Sequence, residues 1–283
     1  MYDCSKKMPE RDIHISVILP TYNGARFIAR ALRSIIVQSV REFEIIVIDD
    51  GSTDRTADIV KKIGAADSRI RYFRNEYNLG IQKSLNRGLR EARGEYIARI
   101  DDDDEWIDPQ KLEKQLAFFK KHPDCVLVGI GVIVVDEEDE ELFRYLLPET
   151  DEKIRKKIFY KNCFIHSGVV FKKDAAMKFN GYDESEKVRH IEDYNLWFKL
   201  GTVGKLANLP IYGVKFTLRS GNISSKNKVE QFKKDINLIK KFRPYYPNYF
   251  GALIRSYLRL IFYGVFNFLP LKSKILKFYK EHY

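Results

Sequence analysis

The chain has 283 residues, 45% hydrophobic and 31% charged, a globular mix with enough apolar material for one large domain or a domain with an appendage. Fifty Lys and Arg against 39 Asp and Glu give a net charge of +11, which favours anionic partners: phosphorylated substrates, nucleic acid or an acidic membrane surface. Three scattered cysteines (Cys4, Cys125, Cys163) form no CxxC pair and no metal-finger spacing, and the N-terminus lacks the apolar core of a signal peptide, so a reduced, cytoplasmic setting is expected.

IHISVILP, ending at Pro20, reads as a buried strand. Phe27, Ile28, Ala31, Leu32, Ile35 and Ile36 then recur at helical spacing, with Asn23-Gly24 as the start signal. FEIIVIDDGSTD opens as a strand apolar on both faces. TADIVKKIG is a helix, RIRYF a short strand, IQKSLNRGLREARG a helix with Gly94 past its end, and EYIARI a fourth strand. Asp108 as N-cap and Pro109 at the first helical position would open PQKLEKQLAFFKKH. Alternating strands and helices predict a doubly wound, parallel α/β sheet. Ligands bind such sheets beyond the carboxyl ends of the strands, where three polar clusters fall: PTYNG, DDGSTD and DDDDEW. After residue 125 the strands CVLVGIGVIVVD, HSGVVFKK and IYGVKFTLR are less regularly linked, and IEDYNLWFKLG is a short helix.

Four adjacent carboxylates, Asp101 to Asp104, repel one another unless a hard cation neutralises them. Mg²⁺ and Mn²⁺ take oxygen ligands, and Mg²⁺ is often shared between one or two carboxylates and substrate phosphates. The alternating pair Asp101 and Asp103 could reach a ribose and a metal; the competing reading is a solvated acidic turn. Asp50 could accept hydrogen bonds from a base, Gly51 permits a tight turn, and Tyr22 could stack on a base or pack at the strand end. In HIEDYNLWFKLG, Asp193 either favours the helix dipole or serves as a general base. His166 and His190 read as structural, although His166 and Ser167 start a strand where a substrate contact is possible.

SVILPTYNGARFIARALRSIIVQSVREFEIIVIDDGSTDRT, NLGIQKSLNRGLREARGEYIARIDDDDEW, HSGVVFKKDAAMKFNGYDE and EDYNLWFKL together resemble the family 2 glycosyltransferases of the GT-A fold, bacterial and archaeal surface-polysaccharide type, from about residue 14 to 225. The resemblance implies inverting transfer from a nucleoside-diphosphate sugar. Pro20, Thr21, Tyr22, Asn23 and Asp50 would bind the nucleoside. Asp101, Asp102 and Asp103 stand in for the DXD motif, with Asp101 on the ribose or sugar and Asp103 on Mn²⁺ or Mg²⁺; Asp102 or Asp104 could share the role. Asp193 matches the catalytic base of the ED motif, with Glu192 beside it. Arg219, in LRSGNISSKN, would face the diphosphate, where the histidine expected beside it is replaced by Ser220 and Gly221.

The expected architecture is a GT-A domain over residues 1–225, with an acceptor-side extension, and a helical, basic-amphipathic tail over 226–283. LIFYGVFNFLPL is uncharged but too short to span a bilayer, which needs ~20 residues. With LKSKILKFYK it reads as an element lying on an anionic membrane, on the inner face, or as a helix packed on the domain or in a dimer contact. Membrane attachment would suit a saccharide or polyprenyl-linked acceptor. A non-catalytic nucleotide-sugar-binding scaffold is the alternative, and nucleic-acid binding lacks any basic-aromatic motif.

Overall fold

The computed structural model describes residues 13–218 and 228–266. Its N-terminal half is built on β1 (Ile15–Thr21), β2 (Phe43–Asp49), β3 (Ile70–Arg74) and β4 (Tyr96–Arg99), parallel neighbours in the order β3-β2-β1-β4. The connecting helices are α1 (Ile28–Ile36), α2 (Thr56–Gly64) and α3 (Ile81–Glu91). Strand alternation sorts the side chains. Ile15, Val17 and Leu19 share a core with Ile28, Leu32 and Ile35 of α1 and Val60 of α2. Ile18, Ile46 and Ile48 face the other way, onto Leu85 and Leu89 of α3. Each such side chain, fully buried, contributes roughly 1.5–3 kcal/mol. The sheet is therefore covered on both faces, and the chain turns back between β1 and β4, the place where such sheets open a cleft.

The second half adds antiparallel pairings, so the sheet as a whole is mostly parallel, as the GT-A resemblance implied. β5 (Glu105–Trp106), α4 (Lys111–Lys121), β6 (Cys125–Val135), β7 (Glu141–Tyr145), α5 (Asp151–Lys157), β8 (Val170–Lys172), α6 (Lys173–Met177), α7 (Glu192–Leu200) and β9 (Lys205–Thr217) follow in turn. They extend the sheet in the order β4-β8-β6-β9-β5, with β7 paired to β6. β8 runs antiparallel to β4 and β6, and β5 antiparallel to β9, whereas the long β6–β9 ladder is parallel. Reversing β8 puts its entry turn, His166–Gly168, beside the exit of β4 and the aspartates that follow it.

Two helix starts are later than expected. The backbone N–H groups of Phe27 and Ile28 both donate to Gly24 O, so residues 24–27 form a turn before α1. Asp108 accepts from Gln110 N at 2.9 Å and Lys114 Nζ at 2.7 Å, spending its carboxylate on a turn ahead of α4.

α8 (Lys228–Lys241) and α9 (Tyr249–Phe266) pack back on the domain. Leu238, Ile239, Phe242, Tyr246 and Ala252 enter the core that holds Leu196, Trp197 and Phe198 of α7, and the Phe242 and Phe198 rings stack at 5.1 Å. The outer side of α9 exposes Phe250, Ile254, Tyr257, Leu258, Ile261 and Phe262. Among the described residues no helix is long and apolar enough to cross a membrane. Residues 267–283, including LKSKILKFYK, lie outside the described residues.

Candidate active site

β4 ends on Arg99, whose side chain is buried under the aspartate turn. Both of its terminal nitrogens donate to the Asp101 carboxylate. Ser167, delivered by the reversed β8, accepts from Asp101 N at 3.0 Å and donates to Asp104 Oδ2. Carboxylate oxygens of Asp101, Asp103 and Asp104 lie within 4.8 Å of one another. Burial and the charges of Asp101 and Asp103 push the Asp104 carboxyl well above the usual range, and its Oδ1 is buried with no hydrogen-bond partner. An orphaned buried oxygen among hard oxygen donors fits a divalent cation of the Mg²⁺ or Mn²⁺ type, which would relieve both costs. Asp102 points elsewhere and accepts from Thr21 Oγ1.

That bond joins the PTYNG loop to the aspartate turn. A Cβ on Gly24 would collide with the Asp102 carboxylate and the Thr21 hydroxyl, so the two loops approach this closely only because residue 24 has no side chain. Asn23 takes a left-handed φ of 52° and exchanges bonds with the next loop: its N–H donates to Ser52 Oγ at 2.9 Å, and its Oδ1 accepts from Thr53 N at 2.8 Å. Gly51, at φ 80°, packs on the backbone of Tyr77 and Asn78. Pro20 and Thr21 complete β1, and Tyr22 projects outward, 49% exposed. Asp50 is taken up within the protein, accepting from Asn75 Nδ2 at 2.7 Å, Leu79 N at 2.9 Å and Gly80 N at 2.8 Å. It shapes the 75–80 loop under the cleft.

Glu192 and Asp193 open α7. Glu192 is buried, its Oε2 has no hydrogen-bond partner, and burial with the Asp193 charge pushes its pKa up to about 7. Burial also raises Asp193, opposed by the backbone bond within its own turn, by Arg99 and by a 2.9 Å hydrogen bond from Asn162 Nδ2. The Arg99 charge thus acts on both the aspartate turn and the ED pair. His166 is held by Tyr182 Oη at 3.0 Å and set edge-on to Trp197; burial and the Arg99 charge keep it neutral, the structural reading of that histidine. Arg219 lies outside the described residues.

Sequence reasoning missed several residues. Arg30 Nη2 on α1 donates to Asp103 O at 3.0 Å and Thr217 Oγ1 at 3.1 Å, tying the turn to the end of β9. Arg26, Phe27, Arg30, Glu137 and Thr217 line a cavity of about 190 Å³ on that side, too small for a whole nucleotide-sugar. Arg99 and Asn162 carried no local signal; Ser167 was noted at a strand start, but its contacts with the aspartates depend on strand order, and Asp104 was legible only as part of the acidic run.

Known proteins share this fold. The Glycosyl transferase family 2 profile matches residues 16–184, and the chain belongs to that family. It is 30% identical over 267 residues to the amylovoran biosynthesis glycosyltransferase AmsE of Erwinia amylovora, covering 92% of this chain and 98% of AmsE. It is also 30% identical over 234 residues to WfgD of Escherichia coli, a UDP-Glc:alpha-D-GlcNAc-diphosphoundecaprenol beta-1,3-glucosyltransferase, covering 82% of this chain and 87% of WfgD. Among solved structures, Staphylococcus aureus TarS 1–349 in complex with UDP-GlcNAc superposes with a TM-score of 0.71 at 23% identity, over 93% of this chain and 78% of that one. The Pyrobaculum calidifontis mannosyltransferase PcManGT, in complex with GDP-Man and Mn²⁺, gives 0.65 at 18% identity, over 87% and 69%.

Proposed function

We propose that the protein is an inverting, metal-dependent glycosyltransferase. It moves a sugar from a nucleoside-diphosphate sugar, most simply a UDP-sugar, to a hydroxyl of a saccharide or polyprenyl-linked saccharide in surface polysaccharide or glycolipid synthesis. One observation carries the reading: the aspartate trio and the Glu192–Asp193 pair, far apart in sequence, both fall under the influence of Arg99. The UDP-GlcNAc and GDP-Man complexes of its structural neighbours, and the lipid-linked acceptor in the WfgD name, support the substrate classes.

Asp101, Asp103 and Asp104 would hold Mn²⁺ or Mg²⁺, which when bound supplies Lewis acidity to the departing diphosphate. Thr21 and Asn23, with Tyr22 beside them, border the nucleoside. Arg99 donates to both Asp101 oxygens and fixes their orientation. Asp193 takes the proton from the acceptor hydroxyl as that oxygen attacks the anomeric carbon from the face opposite the diphosphate; one displacement gives inversion. Arg219 offsets charge on the leaving group.

Residues 1–225 form the transfer domain, and 226–283 a C-terminal element that meets the cytoplasmic face of an anionic membrane. The outer stripe of α9 supports this. The helix has no acidic residue, and cations flank the stripe, with Arg243 over the Tyr249 and Phe250 rings and Lys240 over Tyr257.

The direct test is a panel of nucleoside-diphosphate sugars, assayed for binding and hydrolysis with Mn²⁺ and with EDTA, on wild type and Asp103→Ala. Metal-dependent selection of one donor, lost in the variant, is expected. Absence of any metal-dependent binding would replace the enzyme reading with a nucleotide-sugar-binding scaffold.

A further inference from the structure

The base proposed above has a partner whose orientation the backbone fixes. Asn162 lies in the segment between α5 and the His166–Gly168 turn. Its Oδ1 accepts from Phe164 N at 3.1 Å, and its Nδ2 donates to Asp193 Oδ2 at 2.9 Å. Because Phe164 N can only donate, the amide cannot be flipped without losing both bonds. The segment is tied down on both sides: Tyr194 Oη donates to Ile158 O, and Asn208 Nδ2 donates to Cys163 O at 3.1 Å. Tyr194 is also the residue next to Asp193, so the same pair of neighbours anchors the base and its partner.

We propose that Asn162 is a positioning residue that aims the Asp193 carboxylate at the acceptor hydroxyl and keeps it unprotonated and ready to accept. This rests on the reading of Asp193 as the base. The physical need is plain. A half-buried carboxylate favours its neutral form, and a neutral carboxyl cannot act as a base. An amide N–H donated to the carboxylate opposes that tendency and pins one oxygen, leaving the other for the incoming proton. Other titratable and charged groups bear on Asp193: Glu192 on its own helix, Arg99 and Asp101 at the aspartate turn, the neutral phenols of Tyr182 in the preceding loop and neighbouring Tyr194, and Asp235 on α8. Three of these are carboxylates opposing one guanidinium, so a further neutral donor matters here. Among the described residues, Asn162 is the side chain that gives Asp193 a hydrogen bond.

The experiment follows Asp193 itself. Carboxyl ¹³C resonances of aspartate-labelled, metal-free protein are titrated by NMR, with the Asp193 signal assigned by its loss in Asp193→Asn. Asn162→Leu keeps the side-chain shape and removes the donor; Asn162→Asp keeps an acceptor for Phe164 N and replaces the donor with a carboxylate. The Asp193 midpoint should rise by about one pH unit in the first and further in the second. The acid limb of nucleoside-diphosphate release from the donor selected in the panel should move with it, about tenfold lower on that limb and recovering at higher pH. An unchanged midpoint in both variants overturns the proposal. Asp193→Asn that still turns over at the wild-type rate overturns the base reading as well, and the proposal with it. Asp193→Asn that is inactive at every pH, alongside unmoved Asn162 variants, sinks the Asn162 role alone.

Discussion

Arg99 grips both oxygens of Asp101 from beneath, and its own side chain is 3% exposed. A cation is thus built into a site whose other charges are negative. One aspartate is already compensated before any metal binds, and a cation bound there faces less surplus negative charge than the sequence suggests.

Removing that guanidinium takes a positive charge from Asp101 and Asp104; because the Asp101 side chain is 36% exposed, the cost is about 2–3 kcal/mol, below that of a fully buried pair. Arg99→Met is expected to lower unfolding free energy by about that amount in a urea titration, with donor binding weakened in the same variant. A loss below about 1 kcal/mol would mean that solvent replaces the guanidinium without difficulty.

At Gly24 the effect should fall on binding as well as on folding. A methyl group there meets Asp102 and Thr21 and must push the two loops apart. Gly24→Ala is expected to cost about 1–3 kcal/mol of stability as overpacking. Calorimetric titration of a UDP-sugar in the presence of Mn²⁺ should show affinity falling at least tenfold, and a variant with wild-type affinity would show the loops to be independent.

Glu192 gives a pH dependence whose sign is fixed. Its folded pKa, about 7, lies above its unfolded value of about 4.5, so the folded state binds the extra proton between those two values. Its favourable contribution is complete below the unfolded value and is lost as pH rises toward and through 7. Glu192→Gln should therefore be the more stable protein at pH 8, by on the order of 2–3 kcal/mol, with the advantage shrinking toward pH 5. Thermal melts of both proteins at pH 5, 6, 7 and 8 decide it, and parallel curves would refute the assignment.

On α9, Ile254→Glu with Leu258→Glu alters two exposed side chains, 61% and 62% accessible, so the fold should be unaffected. Co-sedimentation with vesicles containing anionic phosphatidylglycerol should drop severalfold, and wild-type binding should weaken as salt rises. Unchanged sedimentation of the double variant, or its conversion from dimer to monomer in light scattering, would assign the stripe to a protein contact.

The legible parts of this molecule were those whose chemistry is contiguous. The alternation of β1, α1, β2, α2, β3, α3 and β4 was written in apolar periodicity, and the aspartate run and the ED pair announced themselves as carboxylates at element ends. What stayed hidden depends on strand order. Ser167 meets the N–H of Asp101 across 66 residues because β8 is reversed, and Asn162 meets Asp193 across 31 through a loop with no periodicity. A strand as short as β5, two residues long, has no pattern to read. The start of α4 was placed early because an aspartate before a proline can cap a helix or close a turn, and here the N-cap position falls on Gln110.

The aspartate turn is held in place by late parts of the chain. Arg30 bridges it to Thr217, β5 pairs with β9, and Trp106 Nε1 donates to Ser167 O at 2.7 Å. On a ribosome, the acidic loop leaves the exit tunnel long before the residues that brace it. A nascent chain can complete its first four strands and still lack the braces of this turn until β9 has emerged. The aspartate turn is therefore fully braced only as the C-terminal helices begin to appear.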